Sequence, residues 1–308
     1  MNTALPQGVL MPSTSEPPQI IVPARDTIFA ERARRFVALA EGHALGDWLR
    51  FLARLTQAQH DALQTFGAVP LPNATALEQA HSHAMPPLPA EHWTRDAGWR
   101  AALLGIVGTL KSDATQAVQQ SCARLESATP QQLEALAEQV LCAELHGDDA
   151  VLLPFVAAAL QVYWTAMAAA LGAEHMPALD VAGVCPCCGN MPVASVVRPS
   201  PDANNLRYLH CSLCNTEWNL VRVKCPTCDA TGKIAYRHIE GSDTKNGEAV
   251  RAETCDDCQG YLKILYLEKA PDGDPVADDL ATLALDLLVD EAGYSRAGPN
   301  LLFVTGNS

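Results

Sequence analysis

The feature that most constrains this chain is a set of four Cys-x-x-Cys pairs in its second half. Two thiolates three residues apart across a tight turn can bind one tetrahedral metal ion, and two such pairs complete a four-thiolate shell. Gly189 and Asn215 directly follow two of the pairs and Gly260 follows another one residue later, as expected where the chain leaves a turn in a left-handed conformation. The pairs predict two metal sites per chain, with the ligands Cys185, Cys188, Cys211, Cys214, Cys225, Cys228, Cys255 and Cys258.

The four pairs can be combined into two sites in three ways. Sequential pairing encloses residues 189–210 in the first site and 229–254 in the second, and each segment has room for two short strands and a turn, as in a zinc ribbon. Interleaved, cross-braced pairing closes longer loops, and closing a longer loop costs more entropy. Sequential pairing is therefore the favoured prediction.

Disulfide bonds are the competing explanation for the eleven cysteines. Disulfide frameworks belong to short secreted domains, whereas this chain has 308 residues, no charge before Glu16 and no apolar segment typical of a signal peptide. We therefore expect a cytoplasmic protein with reduced thiols.

The residue types of the sites do not distinguish zinc from iron, because both metals accept four thiolates in a tetrahedral shell. A closed shell leaves no position for a water molecule, which disfavours hydrolysis and favours a metal that stabilises a small domain. Iron would add one-electron transfer. The roles of two neighbouring residues remain open. Cys187 is a candidate alternative ligand or sulfur carrier, and His210 is a candidate replacement ligand.

The hydrophobic pattern predicts an α+β multidomain protein, in which an all-helical domain precedes two small zinc-ribbon β domains and a C-terminal helix. A helix start is predicted at Thr129–Pro130, where a capping threonine precedes proline and Gln132. The predicted segments are an extended or flexible lead-in (1–24), the helical domain (25–178), the first ribbon (179–222), the second ribbon (223–270) and the C-terminal helix and tail (271–308).

A run of 24 uncharged residues, 150–173, is long enough to cross a bilayer. It contains Pro154, Gln161 and Thr165, and acidic residues flank it where an anchored helix carries lysine or arginine. The central buried helix of a bundle is therefore the favoured interpretation.

The C-terminal segment shows a second amphipathic pattern. Its apolar stripe predicts a helix that faces a core and is formed by Val276, Leu280, Leu283, Leu287 and Leu288. The opposite face is acidic and is interpreted as solvated, with Asp278, Asp279, Asp286, Asp290 and Glu291. The stripe is compatible with docking inside the chain or with self-association.

The charge of the chain argues against nucleic-acid binding. The net charge is −14, and residues 181–267 carry nine basic and nine acidic residues, so the region lacks the basic stripe that phosphate backbones require. The sequence also shows no phosphate-binding loop, nucleophile elbow or HExxH motif. We therefore predict no enzymatic activity and no catalytic residue.

The cysteine-rich segments resemble one known family. They read CPCCGNMP at 185–192, LHCSLCNTEW at 209–218, VKCPTCDATGKIAY at 223–236 and AETCDDCQGYLKI at 252–264, and GYSRAGPNLLF follows at 293–303. Four pairs in this order, with Trp218 and Tyr261 nearby, resemble the formate dehydrogenase accessory protein FdhE family from about residue 20 onwards.

The resemblance implies a cytoplasmic assembly factor with rubredoxin-like metal sites, needed to make active respiratory formate dehydrogenase. The implied partner is the catalytic subunit of that enzyme before export, and the rubredoxin likeness favours iron over zinc in the two sites. Alternatives are a rubredoxin-like electron-transfer protein, a sulfur-transfer enzyme acting through Cys187 and a nucleic-acid-binding ribbon protein.

Overall fold

The computed structural model describes residues 17–112, 114–200, 205–239 and 248–304. Its helices lie on both sides of the cysteine-rich region and are α1 (Ile28–Ala40), α2 (Gly46–Gln64), α3 (Ala74–Ser82), α4 (Gly98–Leu110), α5 (Gln116–Ser127), α6 (Pro130–Leu141), α7 (Leu153–Leu171), α8 (Pro275–Leu280) and α9 (Leu283–Glu291). The helical first half agrees with the prediction.

Local sequence sets where several of these helices begin. The Thr129 side chain accepts a hydrogen bond from the Gln132 amide, and the Gln132 side chain accepts one from the Thr129 amide. This reciprocal capping satisfies two backbone donors that have no partner within the helix. The predicted start of α6 is confirmed.

Helix α7 is the centre of the helical half and packs against α2, α4 and α6. Among the described residues it belongs to the one segment long and apolar enough to span a bilayer, and 89% of that segment's most apolar window is buried inside the protein. A helix that is apolar on all sides needs such surroundings on every side. This burial favours the bundle helix over the membrane span.

The described strands form one sheet of eight, in the order β1-β4-β3-β2-β7-β6-β5, with β8 beside β7, and all but β1 come from the second half of the chain. The strands are β1 (Ile20–Ile21), β2 (Pro192–Arg198), β3 (Leu206–Cys211), β4 (Glu217–Asn219), β5 (Ile234–Arg237), β6 (Val250–Cys255), β7 (Gly260–Tyr266) and β8 (Ser295–Arg296). Neighbours pair antiparallel, except that β2 and β8 run parallel to β7.

The two predicted ribbons share this sheet. Strands β2, β3 and β4 belong to the first ribbon and β5, β6 and β7 to the second, and the parallel pairing of Ser195 with Ile264 joins them. The sequence predicts each ribbon but not this pairing, because hydrophobic periodicity indicates where strands form and not which strands pair.

Part of the predicted extended or flexible lead-in forms a strand. Strand β1 pairs with β4 through Ile20 opposite Trp218, and the Tyr208 hydroxyl donates to the Pro18 carbonyl at 2.9 Å. Residues Ile20–Ile21 therefore add an edge strand to the sheet. Residues 1–16 of the predicted lead-in lie outside the described residues.

The predicted C-terminal helix is present as two short helices, α8 and α9. Two details of its faces are wrong. Leu287 and Leu288, expected to face a core, are 67% and 50% exposed. Asp278 and Asp279, expected on a solvated face, are buried. Paired cations explain their burial: Arg35 donates to Asp278 at 2.6 Å and Arg296 to Asp279 at 2.8 Å.

A buried ion pair fastens the helical half to the C-terminal helices. The Arg32 guanidinium on α1 donates to the Asp274 carboxylate at 2.9 and 3.1 Å, and Asp274 also caps α8 by accepting from the Val276 and Ala277 amides. Arg32 is fully buried. Loss of either charge would leave the other buried without its counter-ion.

We predict that Arg32→Met lowers the free energy of unfolding by about 3–5 kcal/mol, because it strands the buried Asp274 carboxylate. Arg34→Met is the control, since the Arg34 side chain on the same helix is 76% exposed and forms a long ion pair with Glu31. Denaturant unfolding measures both variants. Equal effects of the two substitutions would contradict the prediction.

Candidate metal centres

The first four-cysteine cluster joins two turns of the sheet. Cys185 and Cys188 lie in the turn before β2, Cys211 ends β3, and Cys214 lies in the turn between β3 and β4. Their Sγ atoms all lie within 4.8 Å of one another, and the Cys185–Cys214 and Cys188–Cys211 Sγ distances are both 3.5 Å. All four side chains are buried.

The second cluster repeats this arrangement at the other end of the sheet. Cys225 and Cys228 lie in the turn before β5, Cys255 ends β6, and Cys258 lies in the turn that leads into β7. The Cys225–Cys258 and Cys228–Cys255 Sγ distances are both 3.7 Å. Both clusters combine neighbouring pairs along the chain, which is the sequential arrangement.

The sulfur positions fit a tetrahedral ion. Four sulfurs at the usual zinc–sulfur distance of about 2.3 Å lie ~3.8 Å from one another. The 3.5–3.7 Å separations of the opposed pairs come close to that value. All eleven cysteines are free thiols in the structure, so disulfide pairing does not account for the clusters. Each cluster is compatible with one metal ion in a thiolate shell.

Every Cys-x-x-Cys turn is followed by a residue in the left-handed backbone region. These residues are Gly189, Asn215, Asp229 and Gln259, with φ values of +76°, +60°, +61° and +55°. The expectation for Gly189 and Asn215 agrees with the structure, whereas at the fourth turn Gln259 takes the role expected of Gly260.

Gly260 has a different use, because a Cβ atom there would lie 3.2 Å from Cys258 Sγ. The glycine therefore lets the strand pass close to the cluster.

Backbone amides point at the sulfurs inside the turns. The Leu213 and Cys214 amides each lie 3.4 Å from Cys211 Sγ, and the Thr227 amide lies 3.4 Å from Cys225 Sγ. Such N–H groups stabilise negative charge on a thiolate.

The helical half holds the first cluster through buried polar contacts. Gln161 on α7 donates to the Ser212 carbonyl at 2.8 Å, and the Asn215 side chain donates to the Thr165 hydroxyl on α7 at 2.8 Å. Arg32 donates to Asn215 Oδ1 at 2.8 Å. Gln161 and Thr165, the polar interruptions of an apolar helix, therefore position the second Cys-x-x-Cys turn.

The first Cys-x-x-Cys turn is held by a loop of the helical half. The Leu88 amide donates to the Cys187 carbonyl at 3.0 Å, and the Ala90 amide donates to the Cys188 carbonyl at 2.9 Å. The Cys187 side chain is fully buried beside the cluster, yet the group of four mutually close sulfurs contains Cys185 and Cys188. The geometry therefore favours Cys188 over Cys187 as the fourth donor.

His210 lies beside the first cluster but points its ring at other groups. Its Nδ1 lies 3.1 Å from the Glu217 carboxylate and its Nε2 lies 3.1 Å from Asn215 Oδ1. Both ring nitrogens therefore have partners other than the cluster, and His210 supports the turn instead of replacing a cysteine.

Glu217 is buried between His210 and Arg198. Burial on its own raises the pKa of this carboxyl, but the hydrogen bonds and charges of His210 and Arg198 outweigh burial and lower the pKa to about 2. Arg198 forms a two-pronged contact at 2.8 and 2.9 Å. The carboxylate is therefore charged throughout the physiological pH range and ties β2, β3 and β4 together.

The fold and the clusters define a class of protein: a helical bundle joined to a β-sheet that carries two zinc-ribbon-like four-cysteine clusters. Family comparisons narrow this class. The chain matches the family models "FdhE, N-terminal" over residues 17–180, "FdhE, central domain" over 184–222 and "FdhE, C-terminal domain" over 223–303. The chain belongs to the FdhE family.

Individual relatives agree with this assignment. The chain is 39% identical over 306 residues to "Protein FdhE homolog" of Stutzerimonas stutzeri, covering 99% of each chain. It is 36% identical over 290 residues to "Protein FdhE" of Escherichia coli O1:K1, covering 94% of this chain and 92% of that one. The crystal structure of the FdhE protein from Pseudomonas aeruginosa superposes with a TM-score of 0.85 at 38% identity, covering 94% of this chain and 100% of that chain. The resemblance and the α+β fold class are confirmed.

We predict that the Glu217 carboxylate stabilises the fold in a pH-dependent way. A pKa of about 2 in the folded protein, against an ordinary value of 4.5, means that the stabilisation is fully present above pH 4.5 and is lost as the pH falls towards 2. The shift corresponds to about 3 kcal/mol.

The measurement is the difference in unfolding free energy between the native protein and Glu217→Gln, taken at each pH so that metal loss common to both cancels. We expect the difference to shrink as the pH falls below 4.5. A difference that stays constant with pH would show that Glu217 acts through its shape and not through its charge.

Proposed function

We propose that this protein is a metal-binding accessory factor for the assembly of respiratory formate dehydrogenase, and that it binds the catalytic subunit of that enzyme in the cytoplasm before export. The observation that carries the proposal is membership in the FdhE family, whose three domain models match residues 17–180, 184–222 and 223–303. The two four-cysteine clusters support it, because a closed thiolate shell has no open position for a substrate.

We further propose that each cluster binds one metal ion. The ligands would be Cys185, Cys188, Cys211 and Cys214 in the first centre and Cys225, Cys228, Cys255 and Cys258 in the second. Iron, favoured by the rubredoxin likeness of the family, would supply one-electron chemistry when bound, whereas zinc would supply cross-linking alone. The protein's own contribution is to gather the sulfurs and to stabilise their charge with backbone amides.

Electron transfer is the second candidate function, and the accessibility of the second cluster favours it. Cys228 is exposed and Cys258 is partly exposed, so a redox partner can approach this centre closely. This function requires iron. Anaerobic purification that yields zinc alone, with no visible absorption, would exclude it.

Client binding does not need a catalytic group, and we assign none. The balanced charge of residues 181–267 disfavours nucleic acid as a partner, because phosphate backbones favour an excess of basic residues. A catalytic subunit is the partner that the family resemblance implies, and a second copy of this chain is an alternative.

We predict two metal ions per chain after anaerobic purification, measured by elemental analysis. Cys211→Ser should lower the metal content to one per chain and lower the melting temperature, because metal affinity contributes directly to folding free energy at such sites. The control is Cys142→Ser, since Cys142 is exposed and lies outside both clusters. Unchanged metal content in Cys211→Ser would contradict the ligand assignment.

We predict that immobilised protein captures the catalytic subunit of a respiratory formate dehydrogenase from cells that accumulate the immature form. Deletion of the gene should abolish formate oxidation with respiratory acceptors, and the native gene should restore it. Intact formate oxidation in the deletion strain would contradict the proposed function.

A further inference from the structure

The two clusters differ sharply in their access to solvent. In the first, the four cysteines are at most 1% exposed. In the second, Cys225 and Cys255 are 3% and 2% exposed, but Cys228 is exposed and Cys258 is intermediate. A reagent in solution can therefore approach two cysteine residues of the second cluster and none of the first.

The first cluster is closed by the junction between the two halves of the protein. Leu88 and Ala90 cover its first turn, and Gln161 and Thr165 hold its second turn against α7. Its cysteines belong to the same hydrophobic core as the helical half. Access to these sulfurs requires the helical half to separate from the sheet, which is an opening on the scale of the whole core.

The second cluster lies apart from that junction, on a scaffold with its own support. Strands β5, β6 and β7 pair along their lengths, and Cys255 lies opposite Gly260 in that pairing. A separate small core beneath these strands contains Val250, Tyr261, Leu265, Leu285 and Val289. These contacts do not involve the cysteine sulfurs, so the strands keep their packing when the cluster opens.

The turn that carries Cys225 and Cys228 is the half of the second cluster that can move. It lies outside the strands and is held by the Arg207 guanidinium, which donates to the Lys224 carbonyl at 2.8 Å, and by contact of Pro226 with Gly183. Displacing this turn breaks a few local contacts, whereas displacing a turn of the first cluster breaks the interface with α7.

We propose that the second cluster is the exchangeable metal site of this protein, where external thiol-reactive groups react with its cysteines. The first cluster is a permanent structural centre. The inference rests on the proposed metal binding. In the exchange, a soft divalent ion passes from four thiolates to an external chelator, the thiolates take up protons or an alkylating group, and no electron is transferred.

Release of zinc to the chromophoric chelator 4-(2-pyridylazo)resorcinol tests the proposal. The full chain is loaded with two Zn²⁺ and kept anaerobic under native conditions. We expect the second cluster to lose its Zn²⁺ quickly. The first cluster should lose its Zn²⁺ at least about tenfold more slowly, because its release requires opening of the core. A single rate for both equivalents would overturn the proposal.

Matched variants assign the two phases. Cys228→Ser and Cys188→Ser each remove the second cysteine of the first turn of a cluster. We expect Cys228→Ser to lose the fast phase and keep the slow one, and Cys188→Ser to show the reverse. The opposite assignment would overturn the proposal.

Because Cys188→Ser removes a buried ligand and can unfold the protein, alkylation of the native protein gives a second readout. The native protein is labelled with iodoacetamide and analysed by mass spectrometry. We expect Cys228 and Cys258 to be alkylated at the rate of the fast Zn²⁺ release, while Cys185 and Cys188 stay unmodified. Exposed Cys142 is the internal standard for reagent activity. Early labelling of Cys185 or Cys188 would overturn the proposal. Failure to load two ions would instead count against the proposed metal binding.

Discussion

The structure depends on a small set of buried hydrogen bonds between α7 and the turn Cys211–Cys214. An apolar helix that is buried on all sides can accept few polar groups, and each must have a partner. Gln161 and Thr165 find their partners in Ser212 and Asn215, on the turn that presents two of the clustered sulfurs. Arg32 reaches the same Asn215 and extends the network to Asp274 and α8. The first cluster, the helical bundle and the C-terminal helices therefore share one set of contacts.

Because only the first cluster takes part in these contacts, the two clusters of the sheet have different surroundings. The first lies where the helical half covers the sheet, and its opening disturbs the core of the whole protein. The second lies on strands with a separate small core, and two of its cysteine residues, Cys228 and Cys258, are exposed or partly exposed. The two clusters therefore occupy two different environments, one inside the common core and one at the protein surface.

The sequence predicts the local features well, because they depend on neighbouring residues. The spacing of the cysteines indicates two four-sulfur sets, and Thr129, Pro130 and Gln132 mark the start of α6. The sequence does not predict the long-range features. The parallel pairing of β2 with β7 and the burial of Asp278 and Asp279 depend on partners far along the chain, and an acidic stripe on a helix has the same appearance whether it meets water or arginine. Gln161 and Thr165 are an exception, because polar residues within a buried apolar helix indicate that hydrogen-bond partners lie nearby.

The proposed shell of four thiolates around one ion in each cluster can be tested by X-ray absorption at the metal edge. For anaerobically purified protein, we expect a first shell of four sulfur atoms at about 2.3 Å, with two ions per chain. Nitrogen or oxygen atoms in that shell, or fewer than four sulfurs per ion, would contradict it.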